Sequence, residues 1–171
     1  MTHTAPSTDT LRSLFACKAW ANEELFAALA DVDAVAHAAE LRSAIRILNH
    51  VHVVDRIFQA HLEGKPHRYE ATNTQETPTL AALAADVKAV DAWYRSYVET
   101  LPRLALSERV RFVFTDGDVG LMSREEILLH VVTHGGYHRG AAGQVMRAAS
   151  AAPPRDLYTR FLHLAEPERR Q

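Results

Sequence analysis

The chain has ten histidines, and three of them, His130, His134 and His138, fall within nine residues. His134 and His138 are four apart. On an α-helix that spacing sets them one turn apart and about 40° around the axis, so both rings can reach one metal ion. Neutral imidazole is a ligand for zinc, nickel, iron and copper. The structural use of such a pair is two surface rings, or two buried ones satisfied by hydrogen bonds. The pair lies on the stripe of Ile127, Val131, Ala141 and Val145, which faces the expected core. An imidazole left without a partner there costs on the order of 1–3 kcal/mol, and that cost weighs towards ligation.

A third ligand must come from another helix, and His50 is the best candidate. It shares a helical face with Ile47, Val54, Ile57 and His61. His52 is about 200° away around the axis and cannot point at the same ion; it lies with Asp55 and Gln59 on a more polar side. His61 is on the His50 side but about 16 Å along the axis, too far to share a metal. His130, one turn before His134, is either a fourth ligand or a partner that supports the ligands, and the supporting role is preferred. His3, His37, His67 and His163 lie in ends, loops or short segments and receive no role.

Four of the seven glycines, Gly135, Gly136, Gly140 and Gly143, stand beside these histidines. Each costs about 0.5–1 kcal/mol relative to Ala inside a helix, so the pattern calls for close approach of a neighbour, open space, or a break at Gly135-Gly136. The zinc-protease motif H-E-x-x-H needs Glu directly after the first histidine; here that residue is Gly135, so this helix supplies no general base of that kind. There is no phosphate-binding loop, dinucleotide fingerprint or serine-nucleophile elbow. Tyr137 and Arg139 project about 100° to either side of His138. For Arg139 the preferred reading is packing and solvent contact. No catalytic residue is assigned, and His130 and Tyr137 are the nearest groups that could assist.

The elements that must position these residues are mostly helical. Residues 1–8 read as a polar lead, and Thr8 or Asp9 caps a helix to about Val32 with Leu11, Leu14, Phe15, Leu25, Phe26 and Leu29 at helical spacing. A second helix fits roughly residues 40–63, stopped by Gly64 and Pro66. A loop over 64–78 and a third helix over roughly 79–100 follow. Val110, Phe112 and Phe114 alternate, Thr115-Asp116-Gly117-Asp118 turns, and a short return around Val119–Met122 completes a hairpin. Ser123 and Glu126 have the spacing of a capping box for a fourth long helix to about Ala149. Pro153-Pro154 breaks it, and Asp156 caps a short last helix. Four long helices with short connections argue for an all-α four-helix bundle.

The 171 residues are enough for one domain of ordinary size. Lys plus Arg is 19 and Asp plus Glu is 21, a balance with no electrostatic pull on DNA or RNA. At 47% hydrophobic and 23% charged, the composition is that of a globular rather than a disordered chain. No apolar run approaches the roughly 18 residues of a membrane span, and the first ten residues lack the features of a signal peptide. A lone Cys17 cannot form an internal disulfide and fits a reducing cytoplasm, the expected location.

Several segments together resemble the DinB family, with its related YfiT-like metal-dependent proteins, over nearly the whole chain. Trp20-Ala21-Asn22 looks like the family's W-A-N segment. Leu48-Asn49-His50 with Val54-Asp55-Arg56-Ile57-Phe58 looks like its second-helix motif, and His134 with Tyr137-His138-Arg139-Gly140 like its H-x-x-x-H-R-G signature. Pro153-Pro154 and Asp156-Leu157 resemble its C-terminal segment. One departure is Ala141, where members often carry Gln directly after H-R-G; Gln144 comes later. The resemblance implies one DinB-like domain over residues 1–171. It implies an up-down-down-up bundle with a short hairpin before the fourth long helix and a short C-terminal helix. It further implies a divalent-metal site of His50, His134 and His138, and a homodimer. Helix packing through Ala81-Ala82 and Ala84-Ala85 would suit the dimer.

Three histidines leave coordination positions open, as at a catalytic rather than a closed structural metal. Zinc or nickel suits nitrogen ligands best, with iron or manganese as further options. The first reading is a metal-dependent enzyme of the hydrolase or thiol-transferase type, acting on an unknown small molecule that includes a low-molecular-weight thiol in the second case. The alternative is a non-catalytic metal-binding or stress-response helical dimer. No nucleic acid or membrane partner is expected.

Overall fold

Cap chemistry sets the helix ends. The computed structural model describes residues 8–170, so all of the polar lead except Thr8 lies outside the described residues. Helix α1 spans Thr8–Ala30, α2 Ala38–Glu63 and α3 Leu80–Thr100. Gly64 ends α2 in the left-handed region at φ 66°. Its N–H donates to the His61 carbonyl at 3.1 Å, and the Lys65 N–H to that of Ala60 at 2.9 Å, which satisfies two otherwise orphaned acceptors. Thr79 caps α3 through its side chain. Strands β1 (Arg109–Val113) and β2 (Val119–Ser123) pair antiparallel, with Phe112 opposite Gly120. Ser123 then opens α4 (Arg124–Ala148) with the expected capping box: its hydroxyl accepts from the Glu126 N–H, and the Glu126 carboxylate accepts from the Ser123 N–H at 2.6 Å. The last helix, α5, spans Tyr158–Ala165.

The described residues are therefore mostly helical with one small two-stranded sheet, consistent with an all-α class. Helix α2 packs chiefly on α4 and α1 on α3, with further contact of α1 on α4 and of α2 on α3. Two apolar clusters fill the space between the helices. Leu11, Phe15, Phe58, Tyr94, Ile127 and Val131 belong to one; Leu25, Leu29, Leu48, Leu83, Ala142 and Met146 belong to the other. In every long helix the residues of the two clusters are separated along the chain, and polar side chains stand at or beside the junction: Lys18 and Asn22 in α1, Asp55 next to Val54 in α2, Asp91 next to Val90 in α3, Arg139 in α4. All five are buried.

The more polar side of α2 that carries His52, Asp55 and Gln59 is buried. The same layer corrects two expectations. Arg139 does not reach solvent; it is 7% exposed and donates from Nε to the Asp156 carboxylate at 2.7 Å. Asp156 consequently caps nothing, and α5 starts after Leu157 without a side-chain cap. Helix α4 does not break at Gly135-Gly136. Its buried stripe runs Ile127, Val131, Gly135, Arg139, Ala142 and Met146, which leaves His134 and His138 half-buried at the stripe's edge.

Candidate metal centre

Two helices bring the three histidines together. The favourable packing of α2 on α4 sets His50 against the one-turn pair His134 and His138. One ring nitrogen from each lies within 4.8 Å of the others. Ring centroids are 5.0 Å apart for His50–His134, 4.7 Å for His50–His138 and 4.5 Å for His134–His138.

The loop after α2 decides which nitrogen of His50 is free. The Thr72 carbonyl lies 2.7 Å from His50 Nδ1. A carbonyl only accepts, so Nδ1 carries the proton and Nε2 keeps its lone pair. That lone pair faces His134 Nε2 at 3.1 Å. Two nitrogens held 2.0–2.1 Å from one tetrahedral zinc ion lie about 3.3 Å apart, so the spacing fits two ligands of a single ion. The loop is latched in turn. Asn49 donates from Nδ2 to Asn73 Oδ1 at 2.5 Å and to Thr74 Oγ1 at 2.7 Å, Asn73 donates to the Arg46 carbonyl, and Arg46 donates to the Thr74 carbonyl.

Electrostatics keeps the pair on α4 neutral. Burial first, then the rings of His138, His130 and His50 and the Lys18 charge, hold His134 down at about 3. Burial and His50 lower His138 as well. Imidazoles must be neutral to bind a metal, so this setting favours ligation over protonation. His134 Nδ1 is buried without a hydrogen-bond partner, and its ring is steadied instead by stacking on His130 at 5.2 Å.

The remaining candidates divide cleanly. His130 packs between His134 and Phe58 and is not in the group that converges. His52 lies apart, and burial lowers its pKa. His61 sits against Phe112 and His67. Tyr137 is 77% exposed.

Sequence reasoning missed the groups behind α4. Lys18 Nζ donates to Asp55 Oδ2 at 2.8 Å and to Asp91 Oδ1 at 2.5 Å. Asn22 joins Asp91 Oδ2 at 2.7 Å and accepts from Arg139 Nη1 at 3.3 Å. Burial opposes the Lys18 charge, but the two carboxylates outweigh it and raise its pKa. Burial pushes Asp55 up to about 6 against the pull of Lys18. Gly135 backs on this layer: a Cβ there would stand 3.1 Å from Arg139 Nη1 and 3.4 Å from Lys18 Cε. The available signal was Leu11, Phe15, Lys18, Asn22, Leu25 and Leu29, a four-and-three spacing in which two polar residues occupy core positions. Nothing local to the sequence marked the Thr72 carbonyl.

The model of the DinB family matches residues 3–170, nearly the whole chain. No curated protein matches it.

Proposed function

The chain belongs to the DinB family, and from that premise we propose that it holds one divalent metal ion between His50, His134 and His138 and acts with it on a small molecule. The observation that carries the reading is the bond from His50 Nδ1 to Thr72, which leaves Nε2 bare and 3.1 Å from His134 Nε2. His134 is held neutral, so its Nε2 either donates its single proton to His50 Nε2 or, with that proton on Nδ1, offers a second lone pair to a cation. Zinc or nickel suits three imidazoles best, with iron or manganese as alternatives.

When bound, the ion supplies Lewis-acid chemistry and lowers the pKa of a water or thiol it ligates. The chain's part is positional. Thr72 fixes the His50 tautomer, His130 packs the His134 ring, and the α4 backbone sets the one-turn spacing of His134 and His138. Gly135 leaves α4 without a glutamate base next to His134, so a bound ion would supply the activation of a nucleophile, with His130 and Tyr137 as the nearest groups that could assist. The reaction is hydrolysis or transfer of a low-molecular-weight thiol to an electrophile. The same reading has the four long helices as an up-down-down-up bundle in one domain over residues 1–171, located in the cytoplasm. It also has two copies joined through the face of α3 where Ala81, Ala82 and Ala85 are exposed.

Metal analysis of untagged protein tests the reading, with about one ion per chain expected. His50→Ala, His134→Ala and His138→Ala should each lose it; unchanged metal in His50→Ala protein would overturn the site. A cobalt-substituted spectrum that responds to a small thiol supports transfer, and metal-dependent ester or amide turnover without thiol supports hydrolysis. Neither, with metal retained, leaves a non-catalytic metal-binding protein. A light-scattering mass near 19.1 kDa would reject the dimer.

A further inference from the structure

A cavity of about 200 Å³ extends along α2 from His50 to His61 and includes His134 in its wall. Its sides are Val54, Ile57 and Phe58 from α2 and Phe112 and Phe114 from the hairpin. Among the described residues no Asp, Glu, Lys or Arg lines it. The larger grooves elsewhere differ in both respects. One between α1 and α3 is lined by Glu23, Lys88, Asp91 and Arg95, another beside the end of α2 by Arg56, Glu63, Lys65 and Arg68, and neither includes a member of the triad.

The aromatic wall is built by the hairpin register. Phe112 and Phe114 lie on one face of β1 and its extension, 4.9 Å apart between centroids, and Gly120 stands opposite Phe112. A Cβ at Gly120 would come within 2.5 Å of the Phe112 ring and 3.0 Å of the Phe114 ring. Absence of a side chain at this one position lets both rings lie over β2. His61 Nε2 is the one polar atom of the wall side chains from α2 that is buried without a partner.

We propose that this cavity holds the uncharged, apolar part of the substrate, one aromatic ring or a short alkyl chain, while the reacting polar group faces His50, His134 and His138. The size follows from comparison: a dry cavity of about 150 Å³ lined by Leu, Ile and Phe takes up benzene. The chemistry follows from the walls, since a charged group placed there would lose its hydration without gaining a counter-charge. Substrates that would have to place a phosphate or carboxylate inside this cavity are disfavoured. The inference rests on the metal reading for the orientation of the substrate, but not for the existence of the pocket.

The test is calorimetric titration of zinc-loaded protein with three hydroxamates, each referenced to its affinity for free zinc: acetohydroxamate, benzohydroxamate and a carboxylate-tailed analogue of benzohydroxamate's length. Benzohydroxamate should bind at least tenfold more tightly than either of the others. Thr115→Phe, which narrows the cavity from its rim, should abolish that advantage and leave acetohydroxamate binding and zinc content unchanged. Equal affinity for all three tails in zinc-containing protein overturns the pocket, and this comparison needs no variant. Protein that takes up none of zinc, nickel, iron or manganese breaks the metal reading instead. The pocket is then decided with toluene and methyl NMR shifts of Val54 and Ile57, where movement supports it and none overturns it.

Discussion

Two polar groups meet back to back on α4, and they differ in what completes them. Gly135 and Arg139 face the charged layer, where Lys18 holds Asp55 and Asp91, Asn22 joins Asp91 to Arg139, and Arg139 ends on Asp156. That chain of bonds touches all four long helices, and almost every donor and acceptor in it is used. Only Asp55 Oδ1 lacks a partner. His134 and His138 face His50 instead, and there three ring nitrogens converge with no carboxylate or cationic side chain in the group. A buried polar set that satisfies itself is a structural device; three converging imidazoles that can be neutral together suit a cation. The contrast turns on partner chemistry rather than on burial.

The sharpest way to break the contrast is to remove the centre of the closed layer. Lys18→Met leaves Asp55 and Asp91 buried without a counter-charge, and breaking a buried pair from one side costs about 3–5 kcal/mol. The urea midpoint should fall accordingly, and adding Asp55→Asn and Asp91→Asn should restore most of the loss. A midpoint unchanged by Lys18→Met would mean that the layer does not hold the helices together.

The open set should respond to metal instead. Zinc at a hundredfold excess over its dissociation constant stabilises a protein that binds it only when folded by about 2.7 kcal/mol. Thermal unfolding of the wild type should shift upward with zinc and that of His138→Ala should not. An equal shift in both would place the ion elsewhere. His52→Ala should keep the zinc response, because His52 lies outside the converging group.

The support behind His50 gives a smaller effect. Asn49→Leu unlatches Asn73 and Thr74 and frees the loop that carries the Thr72 carbonyl. Loss of a group that orients a ligand costs about 10–100-fold in metal affinity. A chelator competition should show that drop with about one ion per chain still bound at saturation. Unchanged affinity would make the loop irrelevant to the site.

What was legible in the sequence followed from local rules. Ser123 with Glu126 and Gly64 marked helix ends because capping is a contact within a few residues. His50, His134 and His138 were legible because helical phase decides which side chains share a face. The charged layer was half legible: Lys18 and Asn22 stand on the apolar period of α1, but their partners Asp55 and Asp91 come from α2 and α3, and no spacing rule links them. Arg139 was misread for a related reason. Its angle to His138 is a property of α4, whereas its burial depends on the chain turning back after Pro153-Pro154 to bring Asp156 against it. The Thr72 carbonyl is a backbone atom, placed by side chains on either side of the loop, and leaves no residue-type signature.

The smallest expected effect is also the one in which the two regions act with opposite sign. His134 has a folded pKa below its ordinary value of 6.5, at about 3. Its contribution to stability is present above pH 6.5 and is lost as pH falls towards 3, because the unfolded chain binds the proton more readily. Asp55 has a folded pKa raised from 3.8 to about 6. Its contribution is present below 3.8 and is lost as pH rises through 6. Between pH 4 and 6 the two slopes therefore oppose each other in metal-free protein. His134→Gln should flatten the loss of stability on acidification, and Asp55→Asn should steepen it, whatever either substitution does to stability at pH 7. Slopes are the informative quantity, since they cancel the constant cost of altering a packed site. Urea midpoints at half-unit steps from pH 4 to 7 would measure them. Slopes that move together in the two variants would show that the layer and the histidines titrate as one group, and the division drawn along α4 would fail.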